Sequence, residues 1–421
     1  MQFPRLRYNI IALGAVRGVN YLIPVMVIPY LTRVLGADAF GVYTLVQVVM
    51  QVFILLTNYG FFLTATRAIS ANRADYLAVS RIFSTTWCTQ LLLGGISFLC
   101  LLVLMLTLPV IKEHALIYLG GFTMVLGNVL FPVWFLEGLE RMRAIAVLQI
   151  VGRLLVLPLL FVFVKGAEDT FWAITIMGVG LVCAGLLSLF WIIYKKLVIW
   201  QIPTRDHILK TLKEGFSLFL SQLSQRMFFI VTPFALSFLS GMTAVGYFNL
   251  ADKLRGAAQA LLHPVSQALF PRMCHLYVHD KVAADDLLKR SFLLILFLGF
   301  SVSLLLWAGA DLIIQLFAGQ EFEAAASVLR WMSAVPLLSV FSLVFGIQIM
   351  LPNGMNRPYN LIVSGVSCLS IVFMFFLVRY IDVNGAALAT VVLELLMAFM
   401  LGWFVISKGF LKWQYKKHKD I

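Results

Sequence analysis

The chain has 421 residues, of which 62% are apolar and 12% charged, and it carries a net charge of +13. Its mean hydropathy is +0.96. Soluble domains are about 45–50% apolar and about 25% charged, so this composition excludes a soluble enzyme and defines a polytopic membrane protein with room for about a dozen spans of roughly 20 residues.

The apolar run after Arg5 and Arg7 is long enough to span and lacks a small-residue cleavage site, so no cleavable signal is expected. Twelve spans are predicted: 10–32, 40–66, 82–106, 116–136, 144–164, 171–194, 216–239, 247–270, 291–317, 327–351, 359–380 and 386–406. With a cytoplasmic N-terminus, 22 lysines and arginines fall in cytoplasmic segments and 4 on the other side, which predicts both termini inside. That bias accounts for the positive charge, and no nucleic-acid partner is needed. The basic tail from Lys408 to Lys419 reads as a topology anchor near anionic membrane lipid. The longest loop, around 195–215, is cytoplasmic, and the chain has no room for a soluble catalytic domain. Cys88, Cys100, Cys183, Cys274 and Cys368 are scattered and point to neither a disulfide framework nor a metal cluster.

The chain repeats itself. Pro29-Tyr30-Leu31 and Phe40-Gly41-Val42-Tyr43 match Pro233-Phe234-Ala235 and Val245-Gly246-Tyr247-Phe248, at an offset of 204 residues becoming 205. Six spans separate the copies, so the two halves, 1–200 and 201–421, are expected to be six-helix bundles of the same orientation. The second span carries a polar stripe of Thr44, Gln47, Gln51 and Asn58 within an arc of about 60°. The eighth span carries Asn249, Asp252, Lys253, Arg255, Gln259, His263, Ser266 and Gln267 within roughly 160°. The 205-residue offset places Thr44 on Asn249, Gln47 on Asp252 and Asn58 on His263. Two readings are open for the second span: the wall of a central cavity, or hydrogen bonding between helices.

Charges at membrane depth are rare and usually face a bundle interior or a water-filled cavity. Arg226 lies about 15 Å into its span at 1.5 Å per residue, in an arc with Ser217, Ser221, Gln222, Ser224 and Gln225. Arg153 is similarly deep, and Arg17 is shallower. Together with Lys253 and Arg255 they outnumber Asp252 and Glu394 by three, so a cationic interior is expected. Asp252 and Arg255 stand three apart on one face, where they either neutralise each other or serve substrate. Glu394 either pairs with an arginine or carries a coupling proton. His263 is either an interior hydrogen-bonding group or a ligand. A cationic cavity selects anionic cargo, and guanidinium groups with a lysine suit a diphosphate. Pro24, Pro29, Pro158 and Pro233 supply positions for kinks.

Three segments carry a family resemblance. Pro29-Tyr30-Leu31-Thr32-Arg33-Val34-Leu35-Gly36, continuing to Phe40-Gly41, resembles the N-terminal signature of O-antigen and polysaccharide-repeat flippases. Phe131-Pro132-Val133-Trp134-Phe135-Leu136-Glu137-Gly138-Leu139-Glu140-Arg141-Met142 resembles the end of their fourth span. Val245-Gly246-Tyr247-Phe248-Asn249 with Ala251-Asp252-Lys253, then Pro264 to Gln267 and Phe270-Pro271-Arg272, resembles their eighth. The resemblance implies an all-α, twelve-helix, MATE-like exporter of the multidrug/oligosaccharidyl-lipid/polysaccharide (MOP) superfamily in the bacterial inner membrane. It implies movement of undecaprenyl-diphosphate-linked oligosaccharide repeats, for O-antigen or a related polysaccharide, from the cytoplasmic to the periplasmic leaflet.

On this reading Arg17, Arg153, Arg226, Lys253 and Arg255 attract the diphosphate, while Gln47, Gln51, Asn58, Asn249, Gln259 and His263 bind sugars. No catalytic residue, metal or cofactor is expected. The superfamily implies coupling to protons or sodium, for which Asp252 and Glu394 are the candidates. A polysaccharide polymerase and a chain-length regulator are candidate partners. Two other classes are weighed. An ion-coupled exporter of small molecules would want an acid-rich cavity, against the cationic balance. A membrane polymerase or ligase would want a large outer loop, and here Glu168-Asp169 and Glu321/Glu323 are the only outer acidic clusters.

Overall fold

The structure, a computed structural model, describes the backbone of residues 3–409 and the side chains of 26–409. Arg17 therefore lies outside the described side chains. The described residues are helical with connecting turns and contain no strand. In chain order the helices are α1 (Phe3–Asn58), α2 (Phe61–Ala71), α3 (Tyr76–Thr107), α4 (Pro109–Glu113), α5 (Ala115–Leu130), α6 (Val133–Gly138), α7 (Met142–Phe163), α8 (Thr170–Tyr194) and α9 (Arg205–Leu239). There follow α10 (Met242–Gln259), α11 (His263–His279), α12 (Lys281–Ala308), α13 (Ala310–Ala318), α14 (Glu323–Met332), α15 (Val335–Ser342), a π-helical stretch (Leu343–Met350), α16 (Asn356–Ile381) and α17 (Val383–Ser407).

Among the described residues, 9 helical segments are long and apolar enough to cross a membrane. The first of them, Met26–Ala71, has 46 residues and is not one straight helix, since the backbone leaves helical geometry at Gly36 and again at Tyr59 and Gly60. The stretch Arg205–His279 is not among the nine. It is the stretch that carries Arg226, Asp252, Lys253 and Arg255.

Three expected span boundaries change. Spans one and two are not separated by a loop. Two helices, together α1, meet end to end at Gly36, whose φ of 75° and ψ of 175° are non-helical. The second span stops at Asn58, because Tyr59 and Gly60 take positive φ (43° and 83°) before α2 begins. The eighth span is likewise interrupted. Helix α10 ends at Gln259 and α11 begins at His263, with Pro264 in its first turn, where the missing N–H costs nothing.

The chain forms two compact units, one of Met1–Arg226, Pro233–Gly246 and Leu316–Phe322, the other of Met227–Thr232, Tyr247–Gln315 and Glu323–Ile421. In the first, α5 and α8 meet through small residues. A Cβ on Gly178 would lie 1.8 Å from Thr123 Oγ1, and one on Gly127 would lie 2.5 Å from the Leu181 Cβ. Lipid offers no hydrophobic drive for helix pairing, so close backbone approach and its van der Waals contact hold such pairs. An aromatic core of Phe61, Phe83, Trp134 and Phe135 fills the space between α2, α3 and α6. In the second unit, α16 and α17 turn back on each other at Gly385, where a Cβ would lie 2.2 Å from the Leu377 carbonyl. Its core gathers Leu262, Met273, Ile295, Val340 and Leu401. The π-helical stretch turns Gln348 inward, and Ser291 Oγ donates to its Oε1 at 3.1 Å.

Candidate functional site

The charged group of the second unit is built on α10. Asp252, Arg255 and Gln259 follow at spacings of three and four and so share one helix face. Arg255 donates to Asp252 Oδ1 from Nη2 at 2.7 Å and from Nε at 3.1 Å. Its Nη1 donates to Gln259 Oε1. Only 7% of Arg255 is exposed, so the guanidinium needs this pairing: a buried charge without a partner costs several kcal/mol, of order 3–5. Glu394 on α17 lies within electrostatic reach of Arg255 and accepts a hydrogen bond from Ser342 Oγ at 3.3 Å. Asp252 also acts on Lys253, which is partly buried. Two acids thus meet two cations, and the group balances its own charge. Asn249 is buried one turn before Asp252, whereas His263, at the start of α11, is exposed.

The polar stripe of the first unit is neutral. Thr44 Oγ1 turns back to the Gly41 carbonyl at 3.0 Å. Gln47 Nε2 donates to the Tyr43 hydroxyl at 2.9 Å. Asn58 Oδ1 accepts from Asn128 Nδ2 at 3.0 Å, joining α1 to α5. Gln51 is exposed. Arg153 stands apart from this stripe. It lines a separate cavity of about 230 Å³ between α5, α7 and α8, with Gln149 and the apolar Met124, Phe131, Val156, Met177 and Leu181. Arg226, on α9, is exposed. Neither Arg153 nor Arg226 has a side-chain partner among the described residues.

Two signature segments owe their pattern to structure. At the α1 bend, Arg33 Nη2 donates to the Leu316 carbonyl at 2.7 Å and Thr32 Oγ1 to the Phe317 carbonyl at 3.0 Å. The bend frees the Ala37 N–H, and Glu321 Oε1 accepts it at 2.8 Å. Gly36 keeps room for that carboxylate, since a Cβ would meet Glu321 Oε1 at 2.7 Å. Gly41 and Gly246 let α1 and α10 approach backbone to backbone. A Cβ there would lie 1.9 Å from the Met242 carbonyl and 2.4 Å from the Ala37 carbonyl, respectively. In the sequence Glu321 reads only as part of an outer acidic cluster, and its bond to the α1 bend has no sequence signal. In the second segment, Trp134 Nε1 donates to the buried Gln90 at 2.9 Å. Arg73 Nε donates to the Gly138 carbonyl at 2.7 Å, and Arg73 pairs with Glu140 at 2.8 Å.

Solved structures share this fold. An inward-facing multidrug resistance MATE family transporter of the MOP superfamily superposes with a TM-score of 0.77, covering 95% of this chain and 98% of that chain at 15% identity. The lipid II flippase MurJ, in an inward closed conformation, superposes with a TM-score of 0.67, covering 94% of this chain and 87% of that chain at 14% identity. The helices and their buried charges therefore define a multi-pass membrane protein with the exporter fold. The chain belongs to the polysaccharide biosynthesis protein family, whose pattern matches residues 6–277. A protein of Escherichia coli (strain K12) named "Putative O-antigen transporter" is 31% identical over 95% of this chain and 96% of its own length. One of the same name from Shigella dysenteriae is 29% identical over 94% and 99%. The family is one of transporters, and the chain is not a catalytic enzyme.

Proposed function

We propose that the chain flips undecaprenyl-diphosphate-linked oligosaccharide repeats from the cytoplasmic to the periplasmic leaflet of the bacterial inner membrane, with both termini cytoplasmic. Support comes from its family and from the exporter fold that it shares with a lipid II flippase. The observation that carries the mechanism is Arg226 on α9, a cation that lies outside the charge-balanced group of α10. Arg226 is exposed without an ion-pair partner among the described residues, and Lys253 lies between the paired Asp252 and Arg255. The halves 1–200 and 201–421 alternate access about a central path. Arg226 and Lys253, with Arg17 and Arg153, draw the diphosphate, and the Asp252–Arg255–Gln259 ladder stiffens the wall that presents them. Gln47, Gln51, Asn249 and His263 offer hydrogen bonds to sugars, while Asn58 supports the wall through Asn128. The lipid tail stays in the bilayer. Asp252 and Glu394 are the acids through which proton or sodium coupling acts. A polymerase and a chain-length regulator take the delivered repeat.

The test is the leaflet location of lipid-linked repeats in cells lacking the protein. Accumulation at the cytoplasmic face, with loss of surface polysaccharide and rescue by the intact gene, is expected. Unpolymerised repeats reaching the periplasm would remove translocation from its role. Export of small cations, the alternative suited to the two membrane acids, would instead appear as drug susceptibility in the same cells.

A further inference from the structure

The segment that joins α8 to α9 is fixed along α3. Ser80 Oγ accepts the Ile199 N–H at 3.0 Å, Ser84 Oγ accepts that of Gln201 at 3.1 Å, and Trp200 packs edge-on against Trp87. The first half of α9 is also clamped to the α1–α2 turn. A Cβ on Gly215 would lie 2.5 Å from the Tyr59 carbonyl, and the Tyr59 ring stacks on Phe219 at 4.8 Å. Between these two attachments α2, α3 and α9 leave a cavity of about 280 Å³, lined by Arg81, Thr85, Thr86, His207, Lys210 and Glu214 among others.

Its lining has two properties that point to an occupant. Thr85 and Thr86 are 5% and 2% exposed, yet neither hydroxyl has a protein partner among the described residues. Neither oxygen is sealed off, so both hydroxyls stay accessible as donors or acceptors. The four ionisable side chains are exposed and make no ion pair, with one another or elsewhere among the described residues, so their charges are open to a ligand. Lys210 and Glu214 stand four apart on α9, a spacing at which they could pair on the helix surface. Two exposed cations with a histidine and two threonine hydroxyls make an anion site. One carboxylate beside them would accept hydroxyl groups of the same ligand. The site lies near the first turns of α3 and α9, at the end that the lysine and arginine distribution assigns to the cytoplasm.

We propose that this cavity binds a phosphate ester that carries hydroxyl groups, with Arg81 and Lys210 on the phosphate, Thr85 and Thr86 donating to it, and Glu214 on a ligand hydroxyl. The chemistry has two sources, the headgroup of a phosphoglycerol lipid or a water-soluble polyol phosphate. The proposal does not rest on the transport reading, and normal or absent flipping leaves it untouched.

The test uses the full chain purified in detergent, with phosphatidylglycerol binding followed by native mass spectrometry and sn-glycerol 1-phosphate by calorimetry. Arg81→Gln with Lys210→Gln should weaken binding about tenfold, since charge-assisted bonds are lost from a partly exposed site. Glu214→Gln should strengthen it about two- to fivefold, because it removes a like charge and keeps an acceptor oxygen for the ligand hydroxyl. A misfolded variant cannot produce that opposite sign. Displacement of the lipid by sn-glycerol 1-phosphate would assign the soluble ligand, and its retention would assign the lipid headgroup. Equal binding by wild type and all variants, or no binding of either probe by wild type, overturns the proposal.

Discussion

The second limb of α1 and the helix α10 carry polar stripes in register in the sequence, and they satisfy them by different means. On α1 the stripe is neutral, and Thr44, Gln47 and Asn58 each find a hydroxyl, carbonyl or amide partner. On α10 a carboxylate, Asp252, takes the place of Gln47, and it is paired with the guanidinium of Arg255, which also bonds an amide. Neutral bonds of this kind are worth about 0.5–1.5 kcal/mol each, whereas a buried charge left alone costs several. The first stripe therefore tolerates truncation and the second does not. Two helices with polar residues in register in the sequence can thus differ in what those residues demand of their neighbours.

The largest effect should come from breaking the charged stripe. Asp252→Asn takes from Arg255 the carboxylate that it bonds twice, leaving it Gln259 and the field of Glu394, and should lower stability by about 2–4 kcal/mol, read as thermal unfolding in detergent. Adding Arg255→Gln should recover most of the loss. An unchanged melting temperature in the single variant would show that the pair does not hold the helix.

A smaller loss should follow where the two helices touch. Gly246→Ala places a methyl 2.4 Å from the Ala37 carbonyl, and backbone cannot step aside. The expected cost is about 1–3 kcal/mol. Gly256→Ala, on the same helix, meets nothing within 4 Å and should be neutral or slightly stabilising. Equal effects at both positions would mean that the α1–α10 approach is not close.

The neutral stripe should respond least. Asn58→Ala leaves Asn128 short of a partner and should cost about 1 kcal/mol. Gln51→Ala, at an exposed position, should stay within about 0.5 kcal/mol. A reduced rate of transport in Gln51→Ala at unchanged stability would assign that side chain to substrate.

What was legible in the sequence follows from what local pattern encodes. The i, i+3 spacing of Asp252 and Arg255 already placed them on one face, and the structure brings them to 2.7 Å. The membrane class, the all-helical fold and the family signatures were equally plain. The bend at Gly36 was not, because Arg33, Gly36 and Asp38 together read as a loop. The second helix starts directly after the first because Glu321, 284 residues from Ala37, accepts the amide that the bend frees, and a local pattern holds no trace of that partner. The break between Gln259 and His263 was hidden for a related reason: no glycine or proline falls within it, and only Pro264, past the break, marks the new helix. The Asn58–Asn128 bond was open between two readings because spacing says which residues share a face and not which helix that face meets.

The cationic path is tested most directly by Arg226→Gln and Lys253→Gln, singly and together, at normal expression in cells lacking the wild-type protein. The measurement is the fraction of lipid-linked repeats reaching the periplasmic leaflet. Each single change should slow delivery, and the double change should abolish it while the protein stays folded in the membrane. Delivery at the wild-type rate by the double variant would contradict diphosphate capture by these two side chains.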